Sequence, residues 1–221
     1  MLSPVVPNLL RRAGRVCPLL LLMLLVSSSF FAGYKRLKVK VEPVASYPCR
    51  STQNRLTIAA DPYNEKEKLL TAFDLKKMLE QGIVPLHLIL ANEGEHVITV
   101  NGEAVQLLDE KNRPAYALGV EEVMQQLVHF SPRRTIGPRS PIPLPGTGGG
   151  KSAGDLFEIE ADLTNKLLKM VRINPKSTQD GFVFFRVPPE AQPLKGYRVY
   201  LPELRDLTAR QDLVFFEIEL K

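Results

Sequence analysis

Apolar and polar residues alternate with a period of two in several short stretches of this chain. The alternation covers residues 36–41, where aliphatic side chains lie between basic ones, and it recurs at 56–60. A period of two is typical of a β-strand with one buried face. Residues 83–91 (IVPLHLILA) are instead apolar almost throughout, which predicts a central strand, with Pro85 at a bulge or before the ladder begins.

Further strands are predicted around turn residues and near the C-terminus. Residues 97–100 and 103–108 flank Asn101-Gly102, a dipeptide that favours a type I′ turn, so these two stretches should form a hairpin. Three later strands are predicted at 182–187, 197–201 and 213–220. One face of the last strand would carry the apolar side chains of Val214, Phe216, Ile218 and Leu220.

Three segments repeat apolar residues with the period of an α-helix. The first begins at a capping box of Asn64 and Glu67 and stops at Gly82, and Asp74 is the position at which it would break in two. The second covers residues 120–128. The third begins at a cap of Asp155 and Glu158, and its apolar stripe consists of Leu156, Ile159, Leu163, Leu167 and Met170. We expect these stripes to pack in the core rather than to bind a cofactor or a membrane.

The segment 131–154 differs in composition from its surroundings. Eleven of its 24 residues are Gly or Pro and none is acidic. Its basic residues are Arg133, Arg134, Arg139 and Lys151. Alternating prolines favour extended geometry, and the glycine run that follows favours flexibility, so we interpret the segment as an exposed loop or linker. Contact with an acidic partner or with anionic lipid headgroups is the alternative interpretation.

Residues 1–33 have the pattern of an export signal. Three arginines, at positions 11, 12 and 15, precede an uncharged run of 18 residues from Val16 to Gly33. That length lies between a signal-peptide core and a membrane-spanning helix. Small residues at 27–29 offer a cleavage site after Ser29, so a cleaved signal peptide and a retained membrane anchor both remain open. The sequence therefore predicts an exported protein, located in the periplasm or anchored in the membrane and facing the periplasm or exterior.

Composition and charge exclude several classes of protein. The chain has 221 residues, no Trp, two Cys and three His, too few ligands for a disulfide scaffold or a common zinc module. The net charge is +5, but residues 1–33 hold three of the 29 basic residues and none of the 24 acidic ones, which leaves 26 against 24, about +2, for the remainder. Such a weak positive charge argues against a nucleic-acid-binding protein.

A glycine-rich segment and a cysteine resemble a nucleotide-binding loop and a catalytic nucleophile, but neither has the full pattern. The glycine-rich GTGGGKS at 146–152 lacks the first glycine of a phosphate-binding loop, because Pro145 stands there, and no buried strand precedes it. Cys49 has no His or Asn in a recognisable signature near it, which favours a small, semi-buried residue over a reactive thiol. We therefore expect no nucleotide and no cofactor.

The titratable residues form no catalytic or metal-binding pattern. His87, His96 and His129 are scattered over a strand, a turn and a helix end, without the spacing of metal ligands. His87 is interpreted as a satisfied or surface histidine. Asp61 and Glu65 flank the start of the first helix, and capping explains them without catalysis. The sequence thus assigns no catalytic, cofactor-binding or metal-binding residue.

The stretch 56–100 is similar to a group of uncharacterised bacterial exported proteins. These proteins carry an AADPY turn, a short Lys/Glu helix and a GI-P sequence that leads into a strand ending in Asn. The matching positions are Ala59, Ala60, Asp61, Pro62, Tyr63, Gly82, Ile83, Pro85 and Asn92. The later GFVFF and FFEIEL also resemble this group. The resemblance implies an immunoglobulin-like module of the cell envelope with no assigned activity.

These observations predict one mainly β domain over residues 34–221, an immunoglobulin-like antiparallel sandwich with short helical insertions and a Pro/Gly-rich loop at 131–154. An α+β arrangement is the alternative. The predicted function is a non-enzymatic binding or structural module of the envelope whose partner is another envelope protein. The alternatives are an envelope hydrolase or carbohydrate-active enzyme that uses carboxylates such as Asp61 and Glu65, and an assembly factor held to the membrane by an uncleaved N-terminal helix.

Overall fold

Antiparallel strands make up most of the folded chain, of which the computed structural model describes residues 33–129, 153–189 and 194–221. The strands are β1 (Arg50–Gln53), β2 (Leu56–Pro62), β3 (Ile83–Asn92), β4 (Ile98–Asn101), β5 (Gln106–Leu108), β6 (Pro114–Leu118), β7 (Met170–Ile173), β8 (Ser177–Arg186), β9 (Arg198–Leu201), β10 (Leu204–Asp206), β11 (Gln211–Asp212) and β12 (Phe216–Glu219). The helices are α1 (Lys66–Ala72), α2 (Val120–His129) and α3 (Ala153–Lys166), and short 3-10 turns lie at Val44–Ser46, Leu79–Gln81 and Gly102–Ala104.

The described strands form two antiparallel sheets. The large sheet has the order β1-β2-β3-β8-β6-β5-β9-β12, and the small sheet has the order β11-β10-β4-β7. The large sheet curls so that its first and last strands come close together. Gln53 of β1 donates a hydrogen bond to the carbonyl of Phe215, which directly precedes β12, at 3.2 Å. The arrangement confirms the prediction of a mainly β fold of the sandwich or barrel type.

Two hydrophobic clusters cover the two faces of the large sheet. The larger cluster joins the inner faces of both sheets, with Val100 of β4 and Leu204 of β10 packed with residues such as Leu86 and Phe185 of the large sheet. The second cluster lies on the opposite face, where helix residues such as Leu69 and Leu163 cover Phe182 and Phe184 of β8. Strand β3 is buried at all ten positions because both of its faces are covered.

The ladder between β3 and β8 is the longest pairing in the described chain, and it runs from Ile83 opposite Arg186 to Asn92 opposite Ser177. It confirms the prediction of a central strand at 83–91. The prediction that Pro85 lies at a bulge or before the ladder is wrong. Pro85 lies inside the ladder, opposite Phe184, and its carbonyl accepts a hydrogen bond from the Tyr63 amide at 2.9 Å. A proline has no N–H to donate to a neighbouring strand. It is tolerated at position 85 because the pairing of β3 with β2 ends at Leu86.

Two of the predicted strand features are wrong. Residues 36–40 alternate in exposure and Val41 is exposed, but the segment forms only one isolated bridge, from Arg36 to Phe73, and no ladder. The stretches on either side of Asn101-Gly102 do not form a hairpin, because β4 belongs to the small sheet and β5 to the large one. The chain crosses between the sheets at the 3-10 turn Gly102–Ala104, and the Asn101 side chain accepts a hydrogen bond from the Glu103 amide.

All three predicted helices exist, but their ends differ from the prediction. Helix α1 begins at Lys66 without a side-chain cap, so the capping box of Asn64 and Glu67 does not form. It ends before Asp74, as the sequence indicates, and Gly82 with a φ of 71° stops the later 3-10 turn. Helix α3 begins at Ala153, which places Asp155 inside its first turn instead of at the cap.

Several apolar residues that the sequence places on buried faces are exposed, and Met170 and Val214 are the most exposed of them. Met170 was assigned to the stripe of the third helix, but that helix ends at Lys166 and Met170 opens β7 with 71% of its surface exposed. Val214 was assigned to the inner face of the last strand. It precedes β12 and is 62% exposed, whereas Phe216, Ile218 and Leu220 are buried as predicted.

Residues Tyr34–Lys221 make up one compact unit by their contacts. The predicted signal or anchor at 1–33, apart from Gly33, and the predicted loop at 131–154, apart from its last two residues, lie outside the described residues. Among the helices that the structure does describe, none combines the length and apolar character needed to span a bilayer.

Candidate functional site

A cleft of about 400 Å³ opens where the two sheets end. Three segments build it: the turn between β1 and β2, the loop between β3 and β4, and the chain from β10 to just beyond β11. Its lining residues are Asn54, Arg55, Leu56, Asn92, Gly94, Glu95, His96, Ile98, Asp206, Gln211 and Leu213. Most of these side chains are polar, so the cleft suits a ligand with hydrogen-bonding or charged groups.

The turn between β1 and β2 places Arg55 at the rim of the cleft. Gln53 pairs with Leu56, so Asn54 and Arg55 form a two-residue hairpin turn with φ values of 48° and 63°. Positive φ at both positions is the geometry of a type I′ turn. Asn adopts this conformation readily, whereas a long side chain such as Arg does so less often. The Arg55 carbonyl also accepts a hydrogen bond from the Glu93 amide at 2.8 Å, which ties the turn to the neighbouring loop.

A buried asparagine shapes the loop between β3 and β4. The side chain of Asn92, at the end of β3, accepts a hydrogen bond from the Gly94 amide at 2.9 Å. It also donates to the His96 carbonyl at 2.7 Å and reaches the Ile173 carbonyl at 3.3 Å. A buried side-chain amide with its polar atoms satisfied fixes local backbone geometry. Asn92 therefore positions the backbone of His96 at the edge of the cleft.

His96 is held by a buried carboxylate. Its Nδ1 lies 2.6 Å from Oδ2 of Asp206, whose side chain is only 6% exposed while that of His96 is 52% exposed. Burial alone would raise the pKa of the Asp206 carboxyl. Hydrogen bonds from the backbone amide of Ala209 and from the His96 ring outweigh that effect and lower the pKa. An ionised Asp206 accepts a hydrogen bond from Nδ1–H, so Nε2 is the ring nitrogen left to meet a ligand, as an acceptor when the ring is neutral and as a donor when it is protonated.

Charge is distributed unevenly around this histidine. Lys176 forms an ion pair with Glu95 at 2.8 Å, and this contact lowers the pKa of the Glu95 carboxyl. The charge of Arg55 also lowers the pKa of Glu95, but within the described residues Arg55 forms no salt bridge and Nε2 of His96 has no hydrogen-bond partner. Arg55 is exposed at the rim, so its guanidinium can donate to a bound carboxylate, and the His96 ring can do so from Nε2–H when it is protonated.

The described residues contain no cluster of three or more His, Cys, Asp or Glu side chains that could hold a metal ion. The cleft holds one histidine whose Nδ1 is already engaged by Asp206. Its chemistry is therefore hydrogen bonding and proton exchange at Nε2, together with the positive charge of Arg55.

The residues singled out from the sequence lie mostly away from the cleft. Asp61 accepts a hydrogen bond from Lys68 at 2.6 Å, and Glu65 is exposed beside the start of α1; neither lines the cleft. Cys49 is free and buried in the larger cluster. His129 ends α2 as predicted, and the GTGGGKS segment at 146–152 lies outside the described residues.

His87 forms a second histidine–carboxylate pair, on the face of β3 that the helices cover. Its Nε2 lies 2.8 Å from Oδ2 of Asp180, and its ring stacks on Phe182 with centroids 4.5 Å apart. The side chain is 1% exposed, and Nδ1 is buried without a partner among the described residues. The ring is thus buried and only partly satisfied, which corrects the interpretation of a satisfied or surface histidine.

Sequence reasoning placed His96 in a turn but did not connect it with Asp206, which lies 110 residues later. The local signal that existed was the Asn92–His96 segment, where an Asn ends an apolar strand and a Gly follows two positions later. That pattern marks a structured loop but does not identify its partner strand.

No family model matches the sequence, and no curated protein matches it. Among solved structures, the fold is similar to the yjhA protein from Bacillus subtilis, with 12% sequence identity, a TM-score of 0.41, and coverage of 79% of this chain and 98% of that chain. A similarity of this extent supports no conclusion about fold or function.

Proposed function

We propose that this chain is an exported, non-enzymatic binding module of the cell envelope, built as an immunoglobulin-like sandwich, that binds an acidic segment of another envelope protein in the cleft. The observation that carries the proposal is the pair of donors at the cleft, Arg55 without an ion-pair partner among the described residues and His96 oriented by Asp206. Loops at one end of two packed sheets are a common binding surface of sandwich domains.

Binding is favoured over catalysis by where the carboxylates lie. Asp61 is engaged by Lys68, and Glu65 lies apart from the cleft, so these two residues do not converge on a shared pocket there. Within the cleft, Glu95 is paired with Lys176 and Asp206 with His96. Each of these acids therefore already has a partner of its own, and Arg55 and the protonated His96 ring are the donors left to meet a ligand.

Variants of the two donors test the proposal. The full chain, tagged at its C-terminus, would be cross-linked in intact envelopes as wild type, Arg55→Ser and His96→Ala, and its partners quantified by mass spectrometry. Loss of a charged hydrogen bond weakens binding by about 1.5–3 kcal/mol, or roughly tenfold to a hundredfold. An envelope protein recovered by the wild type should therefore be strongly depleted with both variants.

Arg186→Ser is the matched control, because Arg186 is exposed at the opposite end of the β3–β8 ladder from the cleft. It should recover the partner as the wild type does. Equal recovery by all four proteins would contradict binding in the cleft, provided that circular dichroism shows the same fold for each.

Export is tested separately with alkaline phosphatase, which is active only outside the cytoplasm. A fusion after residue 60 should be active in a bacterial host, and the same fusion without residues 1–33 should be inactive. An inactive full-length fusion would refute the proposed location in the envelope.

A further inference from the structure

The helices cover only part of the outer face of the large sheet. The cluster that contains helix residues includes Phe182 and Phe184 of β8, and in the described part of the chain it includes nothing from β5, β9 or β12. The inward side chains of these three strands, such as Leu107, Val199 and Ile218, are buried in the larger cluster. The alternate side chains therefore point outward, away from both cores.

These outward positions carry an aromatic row. Gln106 of β5 pairs with Tyr116 of β6 on one side and with Tyr200 of β9 on the other, so all three side chains share one face. Tyr116 is 66% exposed and Phe215 is 45% exposed. The Phe215 ring lies 5.2 Å from the Tyr200 ring, centroid to centroid, and extends the row past β9.

Polar groups interrupt and border the rings. The Gln106 side chain lies between the two tyrosines, and Glu217 follows Tyr200 in the same cross-strand row. Glu217 accepts a hydrogen bond from Arg198, which also donates to Asn112. The row thus combines aromatic rings with amide and carboxylate groups, which can serve a ligand that has both apolar faces and polar edges.

We propose that this face, the row Tyr116–Gln106–Tyr200 with Phe215, binds a strand of β-1,4-linked polysaccharide. A pyranose ring presents C–H groups on its faces, which stack on the electron-rich face of an aromatic ring, and hydroxyl groups at its edge, which need hydrogen-bond partners. The tyrosines flank one intervening strand, so they lie about 10 Å apart at a spacing of about 4.8 Å per strand. That separation is close to the repeat of a β-1,4-linked disaccharide.

Alternate sugars of such a glycan would stack on Tyr116 and on the Tyr200–Phe215 pair. The sugar between them would meet the Gln106 amide, which can both donate to and accept from hydroxyl or acetamido groups. The proposal rests on the proposed export, since envelope polysaccharide lies outside the cytoplasm, but it does not depend on the cleft around His96.

Soluble oligomers of β-1,4-linked N-acetylglucosamine are the probe, and the purified full chain is the protein. Because the sequence has no Trp, tyrosine fluorescence can be followed directly, and the assigned ring resonances of Tyr116 and Tyr200 distinguish the aromatic row from the other four tyrosines. The wild type should bind, and Tyr116→Thr and Tyr200→Thr should each weaken binding by about tenfold or more. Tyr116→Phe keeps the ring and should bind as the wild type does.

Phe157→Ala is the control, because Phe157 is an aromatic residue of α3 that is 67% exposed and outside the row. It should leave binding unchanged. Absence of binding by the wild type, or equal binding by Tyr116→Thr and the wild type, would overturn the proposal. A photo-cross-linker at position 116 that captures a protein in the envelope, with no glycan bound, would also overturn it. The variants Arg55→Ser and His96→Ala should bind glycan normally, which separates this test from that of the cleft.

Discussion

Gly102 is a residue whose identity is set by a close approach of two backbone segments. Sequence reasoning assigned it to a type I′ turn, but its φ is not among the positive values of the described glycines. A Cβ at this position would lie 2.0 Å from the backbone carbonyl oxygen of Leu168. The Gly102 amide also donates to the neighbouring Lys169 carbonyl. Only glycine lets the crossing between the sheets pass this close to the segment before β7.

Gly102→Ala should therefore unfold or severely destabilise the protein. The contact is with backbone, which cannot move aside as a flexible side chain can, so we expect a loss of more than about 3 kcal/mol in the free energy of unfolding. Urea denaturation followed by circular dichroism measures it. Gly119→Ala is the matched control, since the nearest atom to its Cβ is the Glu122 side chain at 3.7 Å. If both variants lost the same stability, the close approach would not be the cause.

The pair of His87 and Asp180 shows how a polar residue is accommodated inside an apolar layer. The ring has the packing of an aromatic residue, with Phe182 stacked on it and Tyr63 at its edge. One nitrogen is bonded to Asp180 and the other is buried without a partner in the described structure. A half-satisfied ring of this kind depends on its single partner, because losing that partner leaves a buried polar group unpaired.

A double-mutant cycle tests this dependence. Asp180→Ala should lower the free energy of unfolding by about 1–3 kcal/mol, since it leaves Nε2 of His87 unpaired. In a His87→Phe background the same substitution should cost much less, because no buried donor remains. Chemical denaturation of the four proteins gives the coupling energy. Equal effects of Asp180→Ala in the two backgrounds would rule out a dependence of His87 on this carboxylate.

At the scale of elements, the sequence predicted correctly those strands and helices whose formation follows from the local period of apolar residues. The ten-residue strand β3, strand β8 and three helices are present because their apolar patterns match the faces that they bury. Residues 36–41 have the right alternation but no strand partner, and pairing cannot be inferred from alternation alone. The prediction of a hairpin at Asn101-Gly102 was wrong because the backbone there packs against Leu168, a residue distant in sequence.

The candidate site was not predictable for the same reason. The cleft joins Arg55, His96 and Asp206 from three separate segments. His96 and Asp206 come together because β4 pairs with β10, placing Ile98 opposite Asp206. No pattern in one sequence specifies that two short strands so far apart will pair. The aromatic row on β5, β6 and β9 was not predicted either, because it depends on the register between β5 and the distant strand β9.

Helix α1 is too short to be stable alone and is held to the sheet by side chains. Leu69 and Ala72 are buried, and Lys68 bonds Asp61 while lying 5.0 Å above the Tyr63 ring. Burial of Tyr63 beneath this helix raises the pKa of its hydroxyl to about 12, and the charge of Asp61 adds to the effect. In an unfolded chain the ordinary value of 10.0 applies.

Stability should therefore fall as the pH rises from about 10 to 12, because over this range the unfolded chain has released the Tyr63 proton and the folded chain retains it. Below pH 10 this contribution is fully present. Tyr63→Phe removes the titrating group, so the wild type should lose stability relative to this variant across the interval. Denaturation curves of both proteins at several pH values measure the difference, and a difference that stays constant would contradict the assignment.

At the scale of the whole molecule, the strands on either side of the segment 131–154 are interleaved. Strand β8 pairs with β3 and β6, β9 pairs with β5, and both β7 and β10 pair with β4. These pairings confirm the prediction that the C-terminal strands join the N-terminal ones across the segment. Neither half has a complete core, because the larger cluster takes Leu86 and Val100 from one half and Phe185 and Phe216 from the other.

Proteolytic cleavage within the segment 131–154 should therefore leave the two fragments associated in one folded complex. The composition of the segment makes it the preferred tryptic site, with cleavable bonds after Arg133, Arg134, Arg139 and Lys151. After brief trypsin treatment, the two fragments should co-elute on gel filtration, because the ladder between β3 and β8 alone joins ten residue pairs across the cut. They should separate only in denaturant. A variant with Gln at the four basic positions should resist this cut, which places the cleavage in the segment. Fragments that separate in native buffer while each stays folded would mean that the chain has two domains.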